Sequence, residues 1–235
     1  MISRNQIKLI QSLRQKKYRE RYGLFVVEGE KMVGEFLKSD FEIENIYATN
    51  QWEGEATRIS ENELQRISSL KTANKVLATV HIPKEINSTF GNTVIALDGV
   101  KDPGNLGTII RLADWFGVTH ILCSFDCVEL YNSKVVQASM GSIARVHVLY
   151  TDLKNQLSIM KDYLTVATVL DGKDVFKAEY EKKVILLMGS ESHGLSKELV
   201  EISNVRVAIP KDENSEAESL NVATACGIIL AQIKN

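Results

Sequence analysis

The side chains best suited to chemistry lie where three apolar runs of the C-terminal third begin or end. The run Val184–Met188 leads into a loop with two glycines around a carboxylate, and Val205–Ile209 leads into Pro210. The last apolar run of the chain opens with Ser219 and Asn221. Ligands of open α/β sheets bind beyond the carboxyl ends of the strands. The three segments are therefore candidates for one ligand site.

The loop after the first run is close to a phosphate-binding P-loop but lacks its lysine. Gly189 and Gly194 have the P-loop spacing, Leu195 stands where the lysine would neutralise phosphate, and Glu191 adds a negative charge. This composition disfavours a triphosphate and favours a neutral or cationic ligand that lies close to the backbone. The alternative is a tight strand-to-helix turn in which Ser196 caps the next helix.

A second polar cluster surrounds the helix predicted for Gly107–Phe116. Asn105 directly precedes this helix, and Arg111 lies about 200° around it from the apolar Ile109 at ~3.6 residues per turn. Taken singly, Asn105 is better explained as the N-cap of the helix and Arg111 as the partner of Asp114 or Trp115 on the surface. Their occurrence beside the other polar segments favours a site.

The alternation of apolar runs predicts an α/β fold in two parts. From Thr93 onward, continuous apolar strands alternate with helices, which predicts a mostly parallel sheet with helices on both faces. The N-terminal half reads as a small α/β unit that opens with a helix over Gln6–Arg19. The polar, breaker-containing stretch 83–92 predicts a linker between domains 1–85 and 93–235.

Composition excludes several classes of protein. Of 235 residues, 44% are hydrophobic and 25% are charged, which is typical of a globular protein, and the apolar runs are too short to span a bilayer. The N-terminus lacks a signal-peptide pattern, so we expect a cytoplasmic protein without a membrane partner. Three cysteines predict buried thiols; Cys123 and Cys127 have no second Cys/His pair, so no metal site is expected.

The net charge of −2 does not indicate nucleic acid, but positive charge is concentrated near the N-terminus. Between Arg4 and Arg21 there are seven basic residues and a single acid, with Tyr18 and Tyr22 interleaved. Such a surface could bind a phosphate backbone and stack on bases. On the charge pattern alone, a solvated helix face is the better explanation. The candidate RNA contacts are Arg14, Lys16, Lys17 and Arg19.

Taken in order, the polar segments resemble the three motifs of SpoU/TrmH-type RNA 2′-O-ribose methyltransferases, which belong to the SPOUT superfamily. The matching residues are Asn105-x5-Arg111, Gly189-x-Glu191-x-x-Gly194-Leu195-Ser196, and Ile209-Pro210 followed by Ser219-Leu220-Asn221-Val222. The resemblance covers about Thr93 to Asn235. The stretch Gly23–Glu30 is similar to the substrate-binding domain that precedes many members, and that domain resembles RNA-binding ribosomal proteins.

The resemblance implies an S-adenosylmethionine-dependent enzyme that methylates a ribose 2′-hydroxyl, in ribosomal RNA rather than tRNA. It also implies a homodimer and a C-terminal trefoil knot. The alternatives are a tRNA 2′-O-methyltransferase and a catalytically silent RNA-binding assembly factor of the same fold. The implied catalytic residues are Arg111, Asn105, Glu191, Ser219 and Asn221. The implied cofactor-binding residues are Thr168, Gly189, Ile209 and Leu220.

Two segments depart from the family pattern. After Ile209-Pro210, this chain has the longer and more acidic stretch 211–216, which we expect to lie near the cofactor. Gln137 stands where the family usually has an arginine before Ser139-Met140-Gly141, so an RNA phosphate contact is expected to be lost there. A dinucleotide-dependent oxidoreductase is a remote alternative, because no Gly-x-Gly-x-x-Gly follows the first strand of the second domain.

Overall fold

The structure is a computed structural model that describes residues 2–84 and 89–235. The chain forms two compact units, one of residues 1–87 with 129–144 and the other of residues 88–128 with 145–235. Residues 85–88 of the predicted linker 83–92 lie outside the described residues. Within the described ranges, no helix has both the length and the apolar character that crossing a bilayer requires.

The N-terminal part is a small α/β unit, as predicted. Its elements are α1 (Arg4–Ser12), α2 (Lys16–Tyr22), β1 (Leu24–Glu28), α3 (Glu30–Phe36), β2 (Ile43–Ala48), β3 (Thr57–Arg58), α4 (Glu61–Ile67) and β4 (Val76–His81). The sheet order is β1-β4-β2-β3, with β4 antiparallel to both β1 and β2. The capping box predicts the start of α4 correctly, because Ser60 Oγ accepts a hydrogen bond from the Glu63 N–H at 3.2 Å.

From residue 93 onward, strands and helices alternate as predicted. The elements are β5 (Thr93–Asp98), α5 (Pro103–Trp115), β6 (His120–Cys123), α6 (Ser133–Ala138), β7 (His147–Tyr150), α7 (Leu153–Ile159), β8 (Leu164–Asp174), β9 (Val184–Gly189), α8 (Lys197–Ile202), β10 (Val205–Ala208) and α9 (Val222–Ile233). Six strands form one sheet in the order β10-β8-β9-β5-β6-β7, and every neighbouring pair is parallel. The predicted parallel sheet is confirmed.

Helices cover both faces of this sheet. On one face, Leu157 of α7 and Leu199 of α8 pack with Ala96 and Leu187 of the central strands. On the other face, α5 contacts β6 and α9, and α9 contacts β9. Residues Val94–Leu97 of β5 are all fully buried, because a central parallel strand has helices above and below it.

Residues 129–144 pack in the first unit although they connect β6 to β7 of the second. The ring of Tyr131 lies 4.5 Å from that of Phe25 in β1, and α6 contacts the same strand. Burial raises the pKa of the Tyr131 hydroxyl well above its ordinary value. The sequence instead predicts this stretch within domain 93–235, because an aromatic partner more than a hundred residues away leaves no local signal.

The single helix predicted over Gln6–Arg19 is wrong, since the chain breaks between α1 and α2. Gln15 is extended, with φ −102° and ψ 133°. Leu13 is buried at the end of α1, and its carbonyl accepts a hydrogen bond from Arg19 Nη1 at 2.8 Å. The break therefore lets α2 turn Arg19 inward, which a continuous apolar stripe does not predict.

Arg19 is a buried structural residue and not an exposed RNA contact. Only 3% of the residue is exposed, and its Nη2 donates a hydrogen bond to the Glu129 carboxylate. The prediction that Arg19 binds RNA is therefore corrected, because a guanidinium held by a carbonyl and a carboxylate inside the unit is unavailable to a phosphate. Lys16 and Lys17 remain exposed, as does Arg14, which also donates to the Ser68 carbonyl at 2.6 Å.

Replacing Arg19 with alanine is expected to destabilise the protein by about 3–5 kcal/mol, because Glu129 loses its ion-pair partner inside the unit. Chemical denaturation would measure this change. Arg21→Ala is the matched control, since Arg21 is an exposed arginine of the same helix, and its effect should stay within about 0.5 kcal/mol. Equal stabilities for the two variants would contradict the assignment of Arg19 as a structural residue.

Candidate active site

Asn105 lies in the first turn of α5 and does not cap it. The helix begins at Pro103, and the N-cap is Asp102, whose Oδ1 accepts a hydrogen bond from the Asn105 N–H at 2.8 Å. Proline at the first helical position needs no N–H partner, so the helix starts earlier than predicted. The alternative of Asn105 as the N-cap is wrong, and its side-chain amide is free for other contacts.

Three residues from three separate segments form one hydrogen-bonded cluster. Asn105 Nδ2 donates to Glu191 Oε1, and Asn221 Nδ2 donates to Asn105 Oδ1 at 2.9 Å and to Glu191 Oε1 at 3.2 Å. The fold thus joins the N-terminus of α5, the loop after β9 and the N-terminus of α9. We call Asn105, Glu191 and Asn221 the amide–carboxylate cluster.

Asn221 also caps α9. Its Oδ1 accepts hydrogen bonds from the N–H groups of Ala223 at 3.0 Å and Thr224 at 3.2 Å. The amide oxygen therefore stabilises the helix, while the amide nitrogen faces the cluster. Because the cap fixes the side-chain orientation, Asn221 links the position of α9 to that of the loop carrying Glu191.

The loop after β9 is a tight hairpin that requires glycine at its base. Ser190 and Gly194 exchange backbone hydrogen bonds of 3.1 and 2.9 Å, and Gly194 has a φ of +66°. A Cβ on Gly189 would lie 2.1 Å from the Gly194 carbonyl carbon. Ser196 occupies the N-cap position of α8 without a side-chain capping bond, and its N–H donates to Asp98 Oδ2 at 2.8 Å. The side-chain cap considered as an alternative does not form.

A cavity of about 810 Å³ opens beside the carboxyl ends of β8, β9 and β10. This volume suits a small-molecule cofactor, for which pockets of roughly 300–1,000 Å³ are usual. Thr168 is held there by a hydrogen bond from its Oγ1 to the Leu187 carbonyl at 2.9 Å. The site residues named from the sequence that line the cavity are Thr168, Gly189, Glu191, Ile209, Ser219 and Leu220.

The lining of this cavity is apolar with an excess of negative charge. Its apolar part includes Met188, Leu195, Val207 and Ile229. Among the residues that the structure describes, four carboxylates line it against a single ammonium group, so a ligand with a positive charge and an apolar portion fits. The charged lining residues are Asp171, Glu191, Asp212, Glu218 and Lys211. Two of these, Asp212 and Lys211, belong to the acidic stretch 211–216, which lies at the cavity as expected.

Arg111 stands apart from the residues that the fold brings together. It is exposed on α5 and does not line the cavity. Among the described residues, no hydrogen bond or ion pair is found for its side chain. Within the described part of the chain, Asp114 pairs with Arg145 and not with Arg111. Its Oδ2 accepts a hydrogen bond from Arg145 Nη2 at 2.8 Å.

A second cavity of about 520 Å³ lies between α5 and α9. Asn105 and Asn221 of the amide–carboxylate cluster line this second cavity, and Glu191 of the cluster lines the larger one. The cluster therefore lies between the two cavities. Small residues of α9 and Leu112 of α5 complete the lining of the second cavity. Arg111 does not line this cavity either.

Sequence reasoning missed several residues of the larger cavity, among them Asp171 and His193. Asp171 lies in a part of β8 that has no pairing partner in β10. Arg206 of β10 pairs with Ala167, and the next residue, Val207, pairs with Lys173. Periodicity does not signal such an irregularity, so the apolar pattern predicts a strand over Thr165–Val169 only, whereas β8 extends to Asp174. His193 lies in the glycine-flanked loop and lines the cavity; its place within the second motif was the available signal.

Comparison with known proteins agrees with this geometry. Residues 92–231 match the model of the SpoU rRNA Methylase family. The chain belongs to this family. Residues 4–80 match the model of an MRM3-like substrate binding domain. The resemblance drawn from the three motifs and from the N-terminal stretch is therefore confirmed.

Individual relatives extend over nearly the whole chain. The 23S rRNA (guanosine(2553)-2′-O)-methyltransferase RlmP of Bacillus subtilis is 28% identical, with 94% of this chain and 93% of that protein covered. The structure of a TrmH-family RNA methyltransferase from Porphyromonas gingivalis has a TM-score of 0.90 at 35% identity, covering 99% and 98% of the two chains. An AdoMet-bound rRNA methyltransferase from Sinorhizobium meliloti has a TM-score of 0.88 at 29% identity, covering 100% and 96%.

Proposed function

We propose that this chain methylates a ribose 2′-hydroxyl of ribosomal RNA with S-adenosylmethionine as methyl donor. The observation that carries the proposal is the acidic, partly apolar cavity at the strand ends, bordered by the amide–carboxylate cluster. The relatives named as 23S rRNA methyltransferases support ribosomal RNA over tRNA as the substrate.

The lining residues fit this cofactor. Thr168, Gly189, Ile209 and Leu220 would hold it, and the surrounding carboxylates would favour its positive charge. Bound S-adenosylmethionine supplies a methyl group already activated on a sulfonium. The protein must therefore orient the ribose, exclude water and remove the hydroxyl proton.

We assign an electrostatic role to Arg111. A guanidinium is not deprotonated in proteins, so Arg111 is suited to stabilising the negative charge that develops on the 2′-oxygen and not to accepting its proton. Asn105, Glu191 and Asn221 position the ribose and the cofactor, together with Ser219 at the cavity. The hydrogen bonds within the cluster support this positioning role, because they hold the N-termini of α5 and α9 and the loop after β9 in fixed relation.

A homodimer completes the proposed site. Arg111 lies outside the cavity of its own chain, which supports delivery of Arg111 of the partner subunit to that cavity. The groove between α5 and α9 carries the small residues Ala223, Gly227 and Ala231, and Trp115 of α5 is 83% exposed, so this face suits a second copy. We also propose the trefoil knot of the family and a cytoplasmic location.

Close backbone packing supports the proposed knot. A Cβ on Gly172 of β8 would lie 2.5 Å from the Val207 carbonyl carbon of β10. These two segments therefore approach each other more closely than any residue other than glycine allows. This close packing, at the irregular pairing of β8 and β10, is compatible with the proposed passage of the C-terminal segment past β8.

The proposed function is tested by incubating the protein with radiolabelled S-adenosylmethionine and ribosomal RNA from a strain that lacks it. We expect one 2′-O-methylnucleoside per ribosomal RNA molecule and none in tRNA from the same strain. Calorimetry should show binding of S-adenosylmethionine by the protein alone. RNA binding without any cofactor binding would contradict the enzyme assignment and favour the silent assembly factor.

Helix α2 provides the proposed RNA-binding surface, revised by the burial of Arg19. Lys17 Nζ lies 4.8 Å from the centre of the Tyr18 ring, and Arg21 lies 5.5 Å from the centre of the Tyr22 ring. The two tyrosine rings are stacked at an angle of 14°. Exposed cations beside aromatic faces suit a phosphate backbone with unpaired bases.

Neutralising Lys16, Lys17 and Arg21 together with glutamine is expected to weaken RNA binding and to reduce the salt slope by about 0.7–0.9 for each lost phosphate contact. Titration of RNA binding at several salt concentrations measures both effects. The matched control replaces three exposed lysines elsewhere, Lys38, Lys71 and Lys161. If both triple variants change the slope equally, α2 is an ordinary solvated helix.

A further inference from the structure

Two cysteines of the second unit, Cys123 and Cys127, lie with their thiol groups in contact. Cys123 ends β6 and is fully buried, whereas Cys127 lies four residues later and is 8% exposed. Both are free thiols, and their side chains are hydrogen-bonded to each other. Solvent therefore reaches one sulfur of the pair, and the second sulfur lies directly behind it.

The turn that follows β6 fixes the Cys127 side chain against its partner. The Cys127 N–H donates to the Ser124 carbonyl at 3.1 Å, and its Sγ donates to the Leu97 carbonyl at 3.3 Å. Ser124 Oγ lies 3.4 Å from Cys127 Sγ and accepts a hydrogen bond from the Gly99 N–H at 2.9 Å. The sulfur is thus held by backbone and hydroxyl groups on several sides, which keeps it beside Cys123.

The two thiols differ in acidity. The hydrogen bond from Cys123 is the largest cause that lowers the pKa of the Cys127 thiol to about 7. Hydrogen bonds from Ser124, Val100 and Gly99 act in the same direction, and burial opposes them. The same thiol contact and burial raise the pKa of Cys123. Since the thiolate is the reactive form of cysteine, Cys127 is the nucleophile of the pair and Cys123 its protonated partner.

The pair is suited to chemistry that needs two sulfur atoms. In the parts of the chain that the structure describes, no group of three or more His, Cys, Asp or Glu side chains is arranged to hold a metal ion. A reactive thiol with some exposure and a second thiol in contact with it is the arrangement of a redox-sensitive site, in which the second cysteine resolves the oxidised first one.

We propose that Cys123 and Cys127 form a redox site, which a peroxide converts to a reversible disulfide. Cys127 sulfur attacks a peroxide oxygen, the oxygen–oxygen bond breaks, and the leaving hydroxide takes up a proton to become water. Cys127 is now a sulfenic acid. Cys123 sulfur then attacks Cys127 sulfur, the sulfur–oxygen bond breaks, and the leaving hydroxide takes the Cys123 proton as water. Two thiols are oxidised and one peroxide is reduced, and a thiol reductant reverses the disulfide.

The disulfide would act on the loop that leads into α5. Cys127 sulfur then has no hydrogen to donate, so its hydrogen bond to the Leu97 carbonyl is lost. The neighbouring Ser124 hydroxyl holds the N–H of Gly99, three residues before the helix N-cap Asp102. We expect the Gly99 amide to exchange its hydrogen with solvent faster in the oxidised protein than in the reduced one. Equal exchange in the two forms would contradict this coupling.

The test treats the reduced full-length protein with hydrogen peroxide, unfolds it in the presence of an alkylating reagent and maps every cysteine by mass spectrometry. We expect a disulfide between Cys123 and Cys127 that dithiothreitol removes, with Cys226 still alkylated as a thiol. Cys226→Ser is the matched control and should form the same disulfide. Cys226 is a fully buried cysteine of α9, and burial raises its pKa to about 12.

Two further variants separate the two steps of the reaction. In Cys123→Ala no thiol attacks the oxidised Cys127, so its sulfenic acid should accumulate and be trapped by dimedone. Cys127→Ser removes the reactive sulfur and should leave Cys123 unoxidised. The alkylation rate of Cys127 in the folded protein should rise with pH around a midpoint of about 7. This midpoint should be higher in Cys123→Ala, because the hydrogen bond that most lowers the pKa is lost.

The outcomes that would overturn the redox site are distinct from those that bear on methylation. Three thiols that all survive peroxide, a disulfide that includes Cys226, or dimedone trapped on Cys123 in Cys127→Ser would each overturn it. Because none of these readouts uses RNA or S-adenosylmethionine, the inference does not depend on the proposed function. Loss of methylation activity would leave it intact, and failure to form the disulfide would leave the proposed function intact.

Discussion

Replacing Arg111 with alanine lowers the methyl-transfer rate by about 10²–10³-fold while the affinity for S-adenosylmethionine stays the same. The affinity is expected to stay the same because Arg111 is exposed on α5 and does not line the cavity that would hold the cofactor. The rate is expected to fall because the proposed guanidinium no longer stabilises the negative charge that develops on the 2′-oxygen. Single-turnover rates and calorimetry measure the two quantities separately.

Arg206→Ala is the matched control for this prediction. Arg206 is likewise an exposed arginine of the second unit that does not line the cavity, and its replacement should leave the rate within about twofold of the unmodified protein. Arg111→Lys should recover little activity, because an ammonium does not reproduce the planar set of donors of a guanidinium. Near-normal methylation by Arg111→Ala would refute the electrostatic role.

Substituting Gly189 with alanine abolishes cofactor binding and destabilises the second unit by about 3 kcal/mol or more. The added Cβ would lie 2.1 Å from the Gly194 carbonyl carbon and 2.2 Å from the Leu195 nitrogen. These are backbone atoms of the same hairpin, so no side-chain rotation relieves the clash. The hairpin must open, which displaces Glu191 from the amide–carboxylate cluster.

Gly194→Ala tests the effect of backbone strain without the steric clash that Gly189→Ala creates. Gly194 has a φ of +66°, but the space where a Cβ would stand is open. The substitution should therefore cost about 1–2 kcal/mol from backbone strain alone and leave measurable cofactor binding. Thermal unfolding and calorimetry on both variants give the comparison. Equal losses of affinity would show that the close contact at Gly189 does not maintain the cavity.

Local patterns predicted the second domain well because its signals are local. Continuous apolar runs identify β5, β6 and β9, since each strand is buried on both faces and carries few polar residues. The motif residues of the cavity follow from the same logic, because strand ends in a parallel sheet meet at one edge. Thr168, Gly189, Ile209 and Leu220 accordingly line a common cavity.

Prediction failed where a residue's partner lies far along the chain. Arg19 reads as one more exposed cation, yet Glu129 and the Leu13 carbonyl hold it inside the first unit. The stretch 129–144 reads as part of the second domain, yet Tyr131 packs against Phe25. Neither partner leaves a periodic signal, because hydropathy patterns record whether a residue is buried and not which residue covers it.

The amino-acid sequence by itself determined the class of fold, the three motifs and the residues around the cavity, because these depend on periodicity and on residue types at short spacing. Only the tertiary structure decided which polar residues touch. It joined Asn105, Glu191 and Asn221 through direct hydrogen bonds, left Arg111 outside the cavity and buried Arg19. Contacts between residues that are distant along the chain are set by how helices and strands pack, and packing depends on the whole chain at once.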